Sequence, residues 1–244
     1  MARRYSGFSG IPSMTAPASG PLCFFRAAPC PVPGAITLKA RQWSRLRPGL
    51  VHDLVREIEK DIIYYDESNG GVTFSGGEPL SRPRLLMDLI RACREKHIHT
   101  CLDTSGFAPA TVIESAAKAV DLVLYDIKIF DEKIHDTMIG KSSRIIFSNL
   151  EMLDKLAVPL KLRFPLIPSM TDSDENITQL IEFLVSRTGY RDIHILPFHN
   201  TGADKYRQMN LKYPLEHIRP PENHWVEAVA LRFKKNGFSP VIGG

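Results

Sequence analysis

The chain has 244 residues, with 31 Lys and Arg against 27 Asp and Glu, and this length can bury one sizeable core. Its formal charge of +4 is uneven, because residues 1–52 contain seven basic and no acidic residues, whereas residues 53–244 contain 24 basic and 27 acidic ones. A mildly acidic body argues against a nucleic-acid surface, and no apolar stretch approaches the roughly 18 residues that a membrane span needs. The four cysteines are too unevenly spaced for a secreted disulfide framework, which favours a reducing, cytoplasmic location.

Residues 1–52 form the first part of the chain and are rich in Pro, Ala, Gly, Ser and Arg. They contain seven of the 18 prolines and show neither a helical nor a strand period. This composition buries too little apolar surface to offset the entropy of the chain, so it predicts disorder. We therefore predict a disordered or non-homologous segment over residues 1–52 and one folded domain over residues 53–244.

From Asp53 onward, helical and strand patterns alternate. Apolar residues at three- and four-residue steps predict helices, and short β-branched or aromatic runs predict strands. The predicted helices begin at Asp53 and cover 85–95, 109–119, 132–139, 144–156, 174–187 and 222–235. The predicted strands cover 72–74, 98–102, 122–129, 159–166 and 193–198, with a possible last strand at 240–242.

This alternation, at intervals of 23 to 37 residues, is typical of βα units around a parallel sheet. Five or six such units are too few for a closed eight-stranded barrel, so the sequence predicts an α/β fold with a partial, open parallel βα barrel. Most of the strands carry or end in a polar residue. Because chemistry in βα barrels lies at the C-terminal ends of the strands, these residues predict one site at that rim.

The stretch from Gly70 to Leu80, Gly-Gly-Val-Thr-Phe-Ser-Gly-Gly-Glu-Pro-Leu, is the most specific in the chain. A buried strand ends at Ser75, and two glycines then allow the backbone to take positive φ and approach a ligand closely. The carboxylate of Glu78 follows directly. The residues by themselves fit either a pocket for a small cationic molecule or an ordinary βα turn.

This run resembles the Gly-Gly-Glu-Pro motif of radical S-adenosylmethionine enzymes, and specifically of the activating enzymes of glycyl-radical enzymes. The resemblance covers roughly Asp53 to Gly244. It implies that Gly76, Gly77 and Glu78 hold the amino group of the methionine half of S-adenosylmethionine.

Six further residues acquire roles from the same resemblance. It implies that Asp103 and Lys128 lie at the methionyl group, that Arg163 holds the carboxylate of the cofactor and that His199 contacts the cofactor. Asp103 would also belong, with Thr104 and Asp126, to a site for a monovalent cation. Without the resemblance, Asp126 and Lys128 could equally form a structural ion pair in a buried strand.

The three cysteines that hold the family's 4Fe–4S cluster, in the spacing Cys-x3-Cys-x2-Cys, are absent from the sequence. Upstream of Asp53 there are only Cys23 and Cys30, and two thiolates at that spacing do not make the site. Cys93 and Cys101 are predicted to be core residues. We therefore expect that the family's cluster-binding N-terminal segment is missing or replaced.

Three functions follow as hypotheses. The resemblance implies an enzyme that reductively cleaves S-adenosylmethionine to place a radical on a glycine of a partner glycyl-radical enzyme, with flavodoxin or ferredoxin as electron donor. Since the cluster motif is absent, we expect the chain as written to be inactive. The alternative is a cluster-less module that binds S-adenosylmethionine or the partner without turnover. The third hypothesis is a Schiff-base lyase built on Lys128.

Overall fold

The described part of the protein is built around one sheet of seven parallel strands. The computed structural model describes residues 36–39, 49–68, 70–75, 77–199, 215 and 217–243, and of residues 36–39 and Tyr64 the backbone alone. The strands are β1 Ile36–Lys39, β2 Gly71–Ser75, β3 His99–Thr104, β4 Leu122–Asp126, β5 Leu160–Leu166, β6 Asp192–Pro197 and β7 Ser239–Ile242.

Eight α-helices occur in the described ranges and connect these strands. They are α1 Leu50–Glu59, α2 Ile62–Ser68, α3 Pro83–Glu95, α4 Ala110–Ala117, α5 Glu132–Ile139, α6 Arg144–Lys155, α7 Asp174–Arg187 and α8 Asn223–Lys235. None of the described helices is long and apolar enough to cross a membrane.

The order of the strands in the sheet is the order in the chain, from β1 to β7. The two end strands do not pair with each other, so the sheet stays open as predicted. All six pairings are parallel, which places the C-terminal ends of the strands at one rim. The polar residues that end or follow these strands therefore face the same rim.

The two faces of the sheet differ in character because successive strand residues point to opposite sides. One face packs under the helices with fully buried side chains such as Phe74, Tyr125 and Phe164. The same alternation places buried polar residues, including Asp126 and Arg163, on the concave face. Because the concave face buries charged residues at one end, that end is a candidate functional site rather than part of the apolar core.

The strand β1 and the start of α1 correct the prediction of disorder over residues 1–52, but only at residues 36–39 and 49–52. Ile36–Lys39 pairs in parallel with residues 72 to 75 of β2, and α1 begins at Leu50 rather than at Asp53. Four extended residues are too short to show a period, and Pro-rich sequence precedes them, so the sequence pattern gave no strand signal. The remainder of that segment lies outside the described residues, and the division at residue 52 stays a prediction.

The loop after β3 is fixed by a close approach between Gly106 and the β4 residue Tyr125. Gly106 has φ +75°, and a Cβ added to it would lie 1.8 Å from the hydroxyl oxygen of Tyr125. That hydroxyl donates a hydrogen bond to the carbonyl of Ile146 at 2.6 Å, so it cannot move away freely. Asn149 Nδ2 donates to the carbonyls of Gly106 and Ala108, both at 2.8 Å.

Gly106→Ala is expected to destabilise the protein by roughly 3 kcal/mol or more. The cost of a left-handed backbone at a residue with a Cβ adds to the cost of the steric overlap with Tyr125. Gly237→Ala is the matched control, since Gly237 also has positive φ but has nothing within 4 Å of an added Cβ. The control should cost only about 1–2 kcal/mol. Urea unfolding of both variants measures the difference, and equal losses would contradict the packing argument.

Candidate functional site

The turn after β2 places Glu78 at the rim of the sheet. Gly76 lies outside the described residues, and Gly77 has φ +76° with no described residue within 4 Å of an added Cβ. Glu78 precedes a short 3-10 helix over Pro79–Ser81 and caps it, because its carboxylate accepts a hydrogen bond from the amide of Leu80 at 3.2 Å. The turn thus combines a left-handed glycine beside open space with a carboxylate directed toward β3.

The carboxylate of Glu78 joins the β2 turn to the end of β3. Its Oε1 accepts a hydrogen bond from Thr104 Oγ1 at 2.6 Å, in addition to the bond from the Leu80 amide. Its Oε2 accepts hydrogen bonds from the amide of Ser105 at 3.1 Å and from Ser105 Oγ at 2.6 Å. These four bonds use the roughly four acceptor positions that a carboxylate offers.

Burial raises the pKa of Glu78 above its ordinary value, even though the hydrogen bonds from Ser105, Thr104 and the Leu80 amide favour the ionised form. No hydrogen bond or salt bridge joins a cationic side chain of the described residues to this carboxylate. The site therefore holds a carboxyl group whose charge is not balanced by a neighbouring cation.

A second group of charges lies where β3, β4 and β5 end, and Arg163 is its centre. Arg163 Nε donates to Asp126 Oδ1 at 2.8 Å, and Nη2 donates to Asp103 Oδ1 at 2.7 Å. Nη2 also lies 2.8 Å from Asp126 Oδ1. The guanidinium therefore bridges two carboxylates from two different strands.

Lys128 and Ser75 complete this group. Lys128 Nζ donates to Asp126 Oδ2 at 3.1 Å, and the hydroxyl of Ser75 donates to Asp103 Oδ2. The side chains of the four charged residues are only 5% to 11% exposed. Two carboxylates and two cations balance one another, so this charge group is neutral and buried.

The balance of charges also governs ionisation in this group. Burial alone would raise the pKa of Asp126, but the charges of Arg163 and Lys128 and their hydrogen bonds lower it below its ordinary value. Burial opposes the charge on Arg163, yet Asp126 and Asp103 raise the pKa of the guanidinium above its ordinary value. Asp126 and Arg163 are therefore held in their charged forms.

Two donors of this group remain available to a ligand. Within the described residues, Arg163 Nη1 has no hydrogen-bond acceptor, and Lys128 Nζ has one, the carboxylate of Asp126. An amino-acid carboxylate could accept hydrogen bonds from both.

The predicted cation ligands are not gathered around one point. Thr104 Oγ1 is directed to Glu78, whereas Asp103 and Asp126 both contact the guanidinium of Arg163. Among the described residues, no group of three His, Cys, Asp or Glu side chains could hold a metal ion. A monovalent-cation site on these three residues stays a prediction.

His199 lies two residues beyond the end of β6 and is exposed. No described residue forms a hydrogen bond with it, and its predicted contact with a cofactor stays a prediction. The stretch that follows it, from Asn200 to Pro214, lies outside the described residues.

Cys93 and Cys101 are both buried, which confirms that they are core residues. Burial raises the pKa of Cys93 to about 12, so its thiol stays protonated. The described residues thus supply no ligand set for an iron–sulfur cluster. Cys23 and Cys30 lie outside the described residues. The cytoplasmic location that the cysteine spacing favours stays a prediction.

Four residues that lie beside the site in the structure are not predicted from the sequence pattern: Ser75, Ser105, Asn149 and Asn176. The two serines were visible within polar runs at the ends of β2 and β3. The two asparagines occupy buried positions on otherwise apolar helix faces. A polar residue in such a position is the signal that could have found them, because it must have hydrogen-bond partners there.

Comparison with known proteins gives a consistent result. Residues 19–181 match the family model described as the radical SAM superfamily. A trans-4-hydroxy-L-proline dehydratase activating enzyme from Clostridioides difficile is 40% identical over 80% of this chain and 65% of its own length. A pyruvate formate-lyase-activating enzyme from Clostridium pasteurianum is 36% identical over 68% of this chain and 69% of its own length.

Solved structures agree with these relatives. A crystallised domain of a pyruvate-formate lyase-activating enzyme from Bacteroides vulgatus is 27% identical, with a TM-score of 0.60, over 72% of this chain and 99% of that domain. A radical SAM methyltransferase from Sphaerobacter thermophilus shares the fold, with a TM-score of 0.58 at 14% identity. The chain spans 65% and 54% of the first two curated relatives, the second being a choline trimethylamine-lyase activating enzyme from Oleidesulfovibrio alaskensis.

The carboxyl group of Glu78 should make stability fall as the pH rises above 4.5, the ordinary pKa of a glutamate. In that range the unfolded chain has released this proton and the folded chain still binds it, so raising the pH favours unfolding. The unfolding free energy of the wild type minus that of Glu78→Gln should decrease as the pH rises above 4.5. Urea titrations measure it, with Glu227→Gln, at an exposed position of α8, as control. A difference that rises with pH would contradict a raised pKa of Glu78 in the folded protein.

Proposed function

Because the chain belongs to the radical SAM superfamily and, within it, to the activating enzymes of glycyl-radical enzymes, we propose that it binds the methionyl half of S-adenosylmethionine. The observation that carries this proposal is the neutral charge group of Asp103, Asp126, Lys128 and Arg163 at the strand ends. Its Arg163 Nη1 and Lys128 Nζ lack a full set of acceptors among the described residues, and its Asp103 accepts a hydrogen bond from Ser75, at the end of the strand that precedes the Gly77 turn.

The residues present fit the two charged groups of the methionyl moiety. Arg163 Nη1 and Lys128 Nζ would hold its carboxylate, since both donors lack a full set of acceptors in the described part of the chain. The turn at Gly77 and Glu78 would face its ammonium group. Because the carboxylate of Glu78 already accepts four hydrogen bonds, its main task is to hold this turn against β3.

Bound S-adenosylmethionine would supply the 5′-deoxyadenosyl group that the family uses to abstract hydrogen from a glycine. The partner would accordingly be a glycyl-radical enzyme, since the named relatives are activating enzymes of such proteins. An electron donor of the flavodoxin or ferredoxin type belongs to the same proposal. The protein residues themselves bind and orient the methionyl group; they provide no redox chemistry.

A 4Fe–4S cluster does not fit the residues that the structure describes, and the 244-residue sequence contains no Cys-x3-Cys-x2-Cys. We propose that this chain by itself does not generate a glycyl radical.

The second candidate is a module that binds S-adenosylmethionine or the partner without turnover. It is favoured by two observations, the buried charge group at the strand ends and a sequence without the cluster motif. Iron and sulfide analysis after anaerobic reconstitution separates the two candidates. A Schiff-base lyase on Lys128 has less support, because Nζ is engaged in an ion pair with Asp126; borohydride trapping with a carbonyl substrate tests it.

The isolated chain is expected to bind S-adenosylmethionine weakly and 5′-methylthioadenosine, which lacks the amino-acid group, still more weakly. Lys128→Met should weaken binding of S-adenosylmethionine by about 1.5–3 kcal/mol, the range for a hydrogen bond to a charged group. Lys118→Met, at a surface ion pair on α4, is the matched control and should bind like wild type. Titration calorimetry measures the affinity of the wild type for both ligands and that of each variant for S-adenosylmethionine. Equal affinity of the wild type for the two ligands would contradict the proposed methionyl pocket.

Electron paramagnetic resonance of the reduced, reconstituted chain should show no cluster signal that changes on adding S-adenosylmethionine. The physical reason is that fewer than three thiolates in the required spacing leave no cluster with one open iron position. A chain fused to a family-type segment with Cys-x3-Cys-x2-Cys serves as the positive control. A cofactor-sensitive signal from the unmodified chain would disprove inactivity and would implicate Cys23 and Cys30.

A further inference from the structure

We propose that Asn176, in the first turn of α7, is a positioning residue that holds Lys128 at the methionyl pocket. Its hydrogen bond to the charge group is to the main-chain carbonyl of Lys128, so its effect would pass through the main chain of Lys128. The inference rests on the proposed function in one respect, namely that Lys128 contacts the ligand. Asn176 is only 7% exposed, so its side-chain amide must be satisfied by the protein.

The side-chain amide of Asn176 forms two hydrogen bonds with the segment that follows β4. Its Nδ2 donates to the carbonyl of Lys128 at 2.8 Å, and its Oδ1 accepts from the amide of Phe130 at 2.8 Å. These two bonds fix the peptides on both sides of Ile129, directly after the strand that carries Asp126. The Nζ of the same Lys128 lies 3.1 Å from Asp126 Oδ2.

The second hydrogen of Nδ2 reaches the segment that follows β5. It is donated to the carbonyl of Thr171 at 2.9 Å. Thr171 Oγ1 in turn donates to the carbonyl of Pro165 at 2.6 Å and accepts from the amide of Ile167 at 2.8 Å. One amide therefore joins the exits of β4 and β5, the strands that carry Asp126 and Arg163.

The chemistry of these contacts permits only one orientation of the amide. Phe130 offers an N–H, whereas Lys128 and Thr171 offer carbonyls, so the oxygen must face Phe130 and the nitrogen must face the two carbonyls. An aspartate at position 176 would keep the acceptor but would present a charged oxygen to two carbonyls. Asn176→Asp is therefore a nearly isosteric variant that loses both donated bonds.

Among the described residues, Asn176 supplies the side-chain hydrogen bond to the carbonyl of Lys128. The carbonyl of Phe130 has another one, because Ser143 Oγ donates to it at 3.1 Å. Loss of the Asn176 amide would thus release the Lys128 end of the segment while its Phe130 carbonyl stays tied. A shift of this main chain would move the root of the Lys128 side chain, whose Nζ lies 3.1 Å from Asp126 Oδ2, and would change the geometry of that hydrogen bond.

A double-mutant cycle tests whether Asn176 acts through Lys128. Asn176→Ala and Asn176→Asp should each weaken binding of S-adenosylmethionine about three- to tenfold. In a Lys128→Met background, Asn176→Ala should weaken it no further, although it should still lower the urea midpoint. Thr188→Ala is the control, because it removes a buried hydrogen bond at the other end of α7, to the carbonyl of Leu184 at 2.9 Å, and leaves the rim intact.

A second readout needs no ligand. Reductive methylation, mapped by mass spectrometry, should proceed faster at Lys128 in Asn176→Ala than in wild type or Thr188→Ala, with Lys118 unchanged as the internal reference. An unchanged rate at Lys128, or an equal loss of ligand affinity in both backgrounds, would overturn the positioning role. If Lys128→Met binds S-adenosylmethionine like wild type, the ligand contact of the proposed function is wrong, and the methylation rates still decide whether Asn176 positions Lys128.

Discussion

The guanidinium of Arg163 holds the rim of this protein together. It is contributed by β5, and its two carboxylate partners belong to β3 and β4. Burying either carboxylate without this partner would be costly, because an uncompensated charge in a poorly solvated place loses far more free energy than an ion pair gains. The geometry at the end of three strands therefore depends on one planar side chain with donors on several sides.

A second interaction is connected to this first one through β3. Glu78 bonds to Thr104, and the preceding residue, Asp103, bonds to Arg163, so two adjacent residues of β3 connect the turn after β2 to the charge group. Adjacent side chains of a strand point to opposite faces of the sheet. At the end of β3, one of them therefore reaches the turn after β2 and the other reaches the charge group. The turn, the β3 end and the charge group thus form one connected network around the region next to Gly77.

The sequence predicted the repeated parts of this fold well. Helices such as α3 and α7 have an apolar face at three- and four-residue steps, and the strands carry polar residues at their ends, so the class of fold and the rim could be inferred. What could not be inferred is which polar residue meets which. Whether Thr104 turns to Glu78 or to Asp126 depends on the stagger between strands, and no local pattern encodes that stagger.

The strand β1 and the amide of Asn176 show two other limits of local patterns. A four-residue strand at the edge of a sheet is stabilised by pairing with β2, a contact that lies more than thirty residues away in the sequence. Asn176 reads as an ordinary residue of the first helical turn, and Ser173 caps that helix in a conventional manner. Only the three-dimensional structure shows that its amide faces the exits of two strands.

The sequential order of the strands has a consequence for how the chain reaches its folded state. Each strand pairs with its predecessor, so the sheet can grow as successive βα units become available. A sheet grown only as far as β4 would place Asp103 and Asp126 on its concave face with Lys128 as the single cation of the charge group. Docking of β5 then supplies the missing positive charge together with a strand-length row of apolar side chains. Addition of the fifth strand should therefore be the step at which the rim becomes electrostatically balanced, and intermediates that stop before it would be the least stable along the growing sheet.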